Sequence, residues 1–194
     1  MKLKIVFVFL LQILSIALQC VSFSSPGWNV RYMNNGQVIM SGLFYQRICS
    51  AQGPCEDKSN LDLVLDNPIF QKEQIFNTVD SAFKGGLSII FSAVVLTLYL
   101  MTFCINQWWM IFYLFCAVLS ILSGVLQWIL MAPIANMNVV YQAEESELDI
   151  ERMGVPWCIV LHSITALHST IAFVVYMIFL IKELFHIVRY ERTI

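Results

Sequence analysis

Residues 85–134 read GGLSIIFSAVVLTLYLMTFCINQWWMIFYLFCAVLSILSGVLQWILMAPI, and this stretch decides the fold. It contains no Asp, Glu, Lys or Arg, and it is more than twice as long as the roughly 20 residues that an α-helix needs to cross a bilayer. Only residues 105–107, Ile-Asn-Gln, interrupt its apolar character. We therefore expect two membrane-spanning helices, residues 85–104 and 108–134, which run antiparallel because the connection between them is so short.

Two further apolar runs, residues 5–23 and 155–181, flank this pair and also lack charged side chains. The chain has 194 residues, of which 59% are apolar and only 12% charged, and this balance is typical of membrane proteins. The sequence predicts a single domain, residues 1–194, in the all-α membrane class. It would be a left-handed bundle of four transmembrane helices with a small extracellular antiparallel β-sheet and one short extracellular helix.

The distribution of Lys and Arg predicts the orientation, because cytoplasmic flanks carry an excess of both. Basic residues lie at both ends of the chain: Lys2, Lys4, Lys182, Arg189 and Arg192. We therefore expect the N-terminus and the tail, residues 182–194, in the cytoplasm. Two outer loops, residues 24–84 and 135–154, would then lie outside the cell at the plasma membrane.

The first apolar run also has a second interpretation, a cleaved signal peptide in which Ser22 and Ser24 are the small residues before the cut. That interpretation leaves three spans. Against it, Gln12, Ser15 and Gln19 recur at helical steps of three and four residues. Such spacing is expected of a face packed inside a bundle.

The first outer loop predicts a hairpin and then a helix. Two β-rich runs flank residues 34–36, Asn-Asn-Gly, and Asn and Gly tolerate the positive φ that a tight primed turn requires. Farther on, Asn67 suits a helix cap and Pro68 suits the first helical position, so a short outer helix should lead directly into the second span.

The cysteines divide by their predicted surroundings. Cys49 and Cys55 fall outside, where an oxidising compartment favours a disulfide between them, with two free thiols as the alternative. Cys104 falls where the second span meets the cytoplasm, so it is either a palmitoylation site or a buried thiol. Three others lie within spans and are expected to be buried small apolar residues: Cys20, Cys116 and Cys158.

At this point the sequence resembles the claudin and peripheral myelin protein superfamily. The resemblance lies in four spans, a large first outer loop and a motif carried by Trp28, Gly42, Leu43, Phe44, Cys49 and Cys55. Phe44 stands where the family has a second Trp, and four residues separate Phe44 from Cys49 where the family usually has two. The chain is therefore similar to a divergent claudin, such as the invertebrate type.

The resemblance implies roles for individual residues. Trp28, Leu43 and Phe44, together with Gly42, would anchor the outer sheet at the membrane surface, and the outer loops would bind partners in the same and in opposing membranes. The carboxylates that follow the second cysteine, Glu56 and Asp57, would favour cations over anions if they lined a paracellular pore. The alternative for these two residues is a solvated acidic turn.

Two functions follow from the resemblance. The first is a claudin-like protein of cell junctions, which forms barrier or adhesive strands or a cation-favouring path with copies of itself or with related claudin-like chains. The second is an auxiliary subunit that modulates or traffics a channel or receptor in the same membrane. The lipid bilayer is a partner in both cases. A nucleic-acid partner is not expected, because the net charge is only −2.

The histidines of the last span are the remaining candidates for chemistry. His162 shares one helical face with Cys158, Thr165 and Ser169, whereas His168 lies on a different face. The sequence places no carboxylate in any span, so we predict hydrogen bonding between helices for these histidines and not a proton relay or a metal site. Catalytic and nucleotide-binding patterns are missing from the sequence, and we expect neither enzymatic activity nor a cofactor.

Overall fold

The computed structural model describes residues 2–50, 53–59, 71–104, 109–143 and 150–191. Four helices account for most of them: α1 (Lys2–Ser24), α2 (Gln71–Cys104), α3 (Trp109–Ala143) and α4 (Trp157–Glu191). The predicted helix cap, Asn67 and Pro68, lies outside the described residues.

Among the described residues, three stretches of helix are long and apolar enough to cross a membrane: Asp80–Thr102, Trp109–Asn136 and Trp157–Lys182. Helix α1 contributes a shorter apolar helix, Val8–Ser24. The chain is therefore a mostly helical membrane protein, as its composition predicts. The fourth crossing, by α1, stays a prediction.

The helices carry apolar side chains outward and polar side chains inward. Ile90, Leu114 and Leu167 are among the large apolar residues exposed on the outside of the bundle, whereas Gln19 and Gln127 are completely buried within it. This arrangement suits a lipid solvent, because hydrocarbon accepts apolar surface and leaves polar groups to be satisfied inside the protein.

The helix boundaries extend those expected from the sequence. Helix α2 runs without a break for 34 residues, so the predicted outer helix and the second span form one element. Helix α3 continues through Pro133 to Ala143, which shortens the second outer loop. Pro133 lacks an N–H, yet a helix tolerates this loss where the freed carbonyl finds another partner. At 35 residues, α3 is about 52 Å long, which exceeds the thickness of the hydrocarbon core.

A five-stranded antiparallel sheet stands at one end of the bundle, and we call it the outer sheet after its predicted side. Its strands are β1 (Asn29–Met33), β2 (Val38–Ser41), β3 (Tyr45–Cys49), β4 (Cys55–Ser59) and β5 (Ile150–Met153), in the spatial order β4-β3-β2-β1-β5. The predicted small antiparallel sheet is confirmed. Its fifth strand comes from the segment between α3 and α4, so both predicted outer loops contribute to one sheet.

The first hairpin forms where Asn-Asn-Gly predicts it. The N–H of Gly36 donates to the carbonyl of Met33, the N–H of Met33 donates to the carbonyl of Gln37, and both bonds are 2.9 Å long. Gly36 has a φ of 78°, which a residue without Cβ adopts at little cost. The connection therefore has three residues with glycine in the left-handed position, and not the two-residue primed turn expected from the sequence.

Two apolar clusters hold the bundle together. The cluster beneath the outer sheet consists of Trp28, Leu43, Leu130, Met131, Cys158 and Ala166. The cluster in the other half of the bundle consists of Val95, Tyr99, Cys116, Ala117 and Tyr176. Between them, a Cβ at Gly124 would lie 3.5 Å from Ser169 and from Thr170. A small residue at this position lets α3 and α4 approach each other closely.

Candidate functional site: the outer sheet and its anchor

Trp28 joins the outer sheet to the helix bundle. It comes directly before β1, and only 2% of its surface is exposed. Its indole N–H donates to the carbonyl of Ser22 in α1 at 2.8 Å, and its ring lies 5.2 Å from the ring of His162 in α4. A tryptophan with its N–H satisfied and its ring buried makes a strong anchor. Trp28 therefore lies where the sheet meets the helices, and its role at a membrane surface stays a prediction.

The turn between β2 and β3 provides the remaining motif residues. Gly42 donates its N–H to the carbonyl of Tyr45 at 2.9 Å, and it packs so closely on the preceding loop that a Cβ would lie 2.8 Å from the Cα of Pro26. Leu43 is buried in the cluster around Trp28. Phe44 is 44% exposed and meets the ring of Phe23 edge to face at 5.0 Å. Phe44 is thus half in contact with α1 and half available to lipid or a partner.

The start of α4 closes over the chain that enters β1. The N–H of Cys158 donates to the carbonyl of Gly27 at 3.0 Å, and the indole of Trp157 covers Gly27 so closely that a Cβ there would lie 2.1 Å from the ring. The N–H of Gly154 donates to the carbonyl of Val30 at 2.8 Å. The first strand is therefore held by α1 on one side and by the start of α4 on the other.

Cys49 and Cys55 form a disulfide, which confirms the prediction for this pair. The two cysteines lie directly opposite each other at the ends of β3 and β4. The disulfide closes the hairpin whose second strand, β4, is exposed along its whole length. A covalent link suits a strand that buries too little surface to hold itself in place.

The two carboxylates that follow Cys55 are in different situations. The guanidinium of Arg47 donates from Nε and from a terminal nitrogen to the two carboxylate oxygens of Asp57, each at 2.7 Å. These hydrogen bonds hold the pKa of Asp57 below its usual range and raise the pKa of Arg47. Glu56 is paired with Ile48 in the register, and because alternate residues of a strand face opposite ways, its side chain lies on the other face of the sheet. The structure therefore does not bring the two carboxylates together.

A network of polar side chains joins α1, α2 and α3 inside the bundle. Gln19 donates from Nε2 to the Oγ of Ser92 at 3.1 Å, and Gln12 donates to the backbone carbonyl of Ser92 at 3.4 Å. On the side of α3, the Oγ atoms of Ser92 and Ser123 lie 3.0 Å apart, and the Oγ of Ser88 lies 3.1 Å from that of Ser123. The face predicted for α1 from its glutamines is thus a contact face.

Gln127 extends the network from α3 to α4. Its Oε1 accepts a hydrogen bond from Thr165 at 2.7 Å. Its Nε2 donates to Ser123 at 3.1 Å and to Ser169 at 3.4 Å. One amide therefore uses its carbonyl and both N–H groups, and it connects α4 to Ser123, which in turn contacts Ser92.

Both candidate histidines lie between α4 and α1. The Nδ1 of His162 is 3.0 Å from the Oγ of Ser22, and the Nε2 of His168 is 3.1 Å from the Oε1 of Gln12. The predicted hydrogen bonding between helices is confirmed for both. Within the described ranges, no group of three His, Cys, Asp or Glu side chains is arranged to hold a metal ion.

Sequence reasoning missed several members of the network. Ser88 and Ser92 in α2, and Ser123 and Gln127 in α3, each stand four residues apart in an otherwise apolar span. This is the same spacing that identifies the polar face of α1, and it places each pair on one helical face.

Cys104 ends α2, and its assignment as a palmitoylation site stays a prediction. Cys116 and Cys158 are buried as expected, whereas the expected burial of Cys20 is wrong, because its side chain is exposed on α1.

Fold and site define a class: a multi-pass membrane protein with a disulfide-bonded outer sheet built on a polar-cored helix bundle. Comparison with known proteins matched neither a family model nor a curated sequence.

Proposed function

We propose that this chain is a claudin-like membrane protein of cell–cell contacts, with four spans and both termini in the cytoplasm. The observation that carries the proposal is the outer sheet, in which β1–β4 from the first loop and β5 from the second form one surface. Trp28 fixes that surface to the bundle through α1 and α4. A rigidly held sheet at a membrane surface is suited to binding a partner in the same or an opposing membrane, because little ordering entropy is lost on binding.

The position of α1 supports the fourth span. Three polar residues of α1 form hydrogen bonds with α2 or α4 inside the bundle: Gln12, Gln19 and Ser22. Removing α1 as a signal peptide would leave Ser92 and His162 without these partners, and unpaired polar groups within a bilayer are costly. We therefore infer that α1 is retained as a membrane anchor.

The charge arrangement on β4 favours a barrier or adhesive role over a strongly cation-selective path. Asp57 is already paired with Arg47, so Glu56 is the remaining carboxylate of the pair that the family resemblance implicates. The second candidate is an auxiliary subunit that binds a channel or receptor in its own membrane, a role that also requires no cation path. For either role we propose a non-enzymatic protein at the plasma membrane.

The experiment uses a tagged full-length chain in cells that touch both expressing and non-expressing neighbours. We expect the tag to be enriched at borders between two expressing cells, because contacts across the gap require a copy or a relative on each side. Leu167→Ala serves as a control, because it trims a lipid-facing side chain of α4 and should be distributed like the wild type. A uniform surface distribution would contradict the cell-contact proposal and support the auxiliary-subunit alternative.

A further inference from the structure

We propose that His162 is the positioning residue of the sheet anchor, acting through a hydrogen-bonded chain that runs from His162 in α4 to Ser22 in α1 and from Ser22 to Trp28. The inference concerns how the outer sheet is held on the bundle. It does not depend on the proposed function, because it holds equally for a cell-contact protein and for an auxiliary subunit.

The chain is short and fully enclosed. The Nδ1 of His162 lies 3.0 Å from the Oγ of Ser22, and the backbone carbonyl of Ser22 accepts the indole N–H of Trp28 at 2.8 Å. His162 and Ser22 are both 0% exposed, so neither can exchange its partner for water. The rings of His162 and Trp28 also lie 5.2 Å apart, so the histidine contacts the anchor directly as well as through the serine.

The hydrogen bonds of Ser22 determine which nitrogen of His162 carries the proton. The Ser22 hydroxyl donates to the carbonyl of Gln19 at 3.0 Å. A hydroxyl has one hydrogen, and we assign that hydrogen to the Gln19 carbonyl, so that Ser22 accepts in its contact with His162. The geometry therefore assigns a neutral His162 with its proton on Nδ1 and a lone pair on Nε2. Within the described part of the chain, that Nε2 is buried and has no hydrogen-bond partner. This agrees with Nδ1 as the nitrogen that donates the hydrogen bond.

The second histidine of the interface provides a built-in comparison. His168 also contacts α1, but its partner is Gln12, which is ten positions before Ser22 and takes no part in the Trp28 chain. A general weakening of the contact between α1 and α4 should follow from changes at either histidine. A loosened anchor should follow only from changes at His162.

The test compares two substitutions that replace different ring nitrogens. In His162→Asn, the side-chain amide nitrogen falls near the position of Nδ1, so the donor to Ser22 is kept. In His162→Gln, the amide falls near the position of Nε2, so that donor is lost. His168→Asn is the matched control. The readout is the hydrogen-exchange rate of the Trp28 indole N–H, measured by NMR on the purified full chain in lipid nanodiscs.

We expect His162→Gln to raise the exchange rate of the Trp28 indole about tenfold, as loss of one buried hydrogen bond predicts. His162→Asn and His168→Asn should leave it near the wild-type rate. Equal rates in wild type and His162→Gln, or faster exchange in His168→Asn than in His162→Gln, would overturn the proposal.

A second measurement begins with the wild-type protein and does not depend on a substitution at either histidine. In wild-type protein with ¹⁵N-labelled histidine, we expect the His162 signals of a neutral ring protonated at Nδ1. We expect this preference to weaken in Ser22→Ala, which removes the acceptor. A ring protonated at Nε2 in the wild type would overturn the assignment and with it the proposed direction of the chain.

Discussion

At Gly42 the chain has room for a hydrogen atom and not for a side chain. A Cβ there would lie 2.8 Å from the Cα of Pro26 and 2.9 Å from the carbonyl oxygen of Ser25. Both are backbone atoms, so they cannot move aside as the end of a flexible side chain can. The close approach brings the turn before β3 onto the loop that follows α1, and this places Leu43 beside Trp28 in the apolar cluster.

We predict that Gly42→Ala lowers the free energy of unfolding by about 1–3 kcal/mol, the usual cost of forcing an extra carbon into a packed site. Gly53→Ala is the control, because among the described residues a Cβ there would meet the Cβ of Ser50 alone, at 3.7 Å, an ordinary contact distance. Thermal unfolding of both variants in the same detergent measures the difference. If Gly42→Ala unfolds at the same temperature as Gly53→Ala, the close packing of this turn is not what holds it.

The ion pair of Arg47 and Asp57 leads to a second prediction at the residue scale, which concerns how stability depends on pH. Because hydrogen bonding to Arg47 lowers the pKa of Asp57 in the folded state, the pair stabilises β3 against β4 at neutral pH. That stabilisation is lost as the pH falls below about 4 and through the lowered pKa. In Arg47→Gln, the titration midpoint of the Asp57 carboxyl, followed by carbon NMR, should move up toward its usual value.

The control for this titration is Lys58→Gln. Lys58 is paired with Gln46 and not with Arg47, so its removal should leave the midpoint of Asp57 nearly where it is. An Asp57 midpoint that is the same in wild type and in Arg47→Gln would show that the two groups do not interact in solution.

At the scale of elements, the sequence predicts what is encoded locally. Among the described residues, three helices able to cross a membrane and the hairpin at Gly36 follow from local patterns, and the disulfide follows from the predicted outer position of its two cysteines. The division of residues 37–49 into β2 and β3 does not, because the turn at Gly42 is set by its packing on Pro26 and not by a turn sequence of its own. Strand β5 has only four residues. It becomes a strand by pairing with β1, which is far away in the sequence.

The contacts among the buried polar side chains of the helices likewise could not be predicted from the sequence. Ser88 or Ser123 alone in an apolar span is a common small residue, and its partners lie on another helix. Only the folded bundle shows that these residues form one network with Gln127. Polar contacts of this kind fix the register of helices that lipid-facing apolar surfaces leave unspecified.

The network predicts that Gln127→Leu destabilises the bundle by about 1–2 kcal/mol, within the range found for hydrogen bonds between membrane helices. Leucine has a similar size but leaves Thr165 and Ser169 without this partner. Val125→Leu is the control, because Val125 faces outward from the same helix. Resistance to unfolding in detergent measures both. Equal stability of the two variants would mean that the amide contributes nothing beyond its volume.

At the scale of the whole molecule, one sheet unites two segments that lie far apart in the sequence. Strands β1–β4 follow α1 and β5 precedes α4, so the antiparallel pair α2 and α3 lies between them along the chain. This arrangement places the described strands of both predicted outer loops at the same end of the helix bundle. It also gives them a single surface, held by Trp28 below and by the disulfide at the edge. The proposal of a contact-forming surface depends on this union.

The most direct measurement of that union is a disulfide between the two loops at the surface of intact cells. Arg31 and Met153 are directly opposite in the register of β1 and β5, and a protease site in the connection at residues 105–107 separates them onto two fragments. The native disulfide lies within the first fragment and cannot join the two. The control is Lys58→Cys with Glu151→Cys, which places cysteines on the two opposite edges of the sheet.

We predict that the cleaved fragments of Arg31→Cys with Met153→Cys stay together in denaturing detergent without reductant. With reductant in the same detergent, they should separate. A membrane-impermeant label should reach the joined species from outside the cell, and the control pair should stay unjoined. Fragments that separate without reductant, or a joined species that the outside label does not reach, would contradict a single outer sheet formed by both loops.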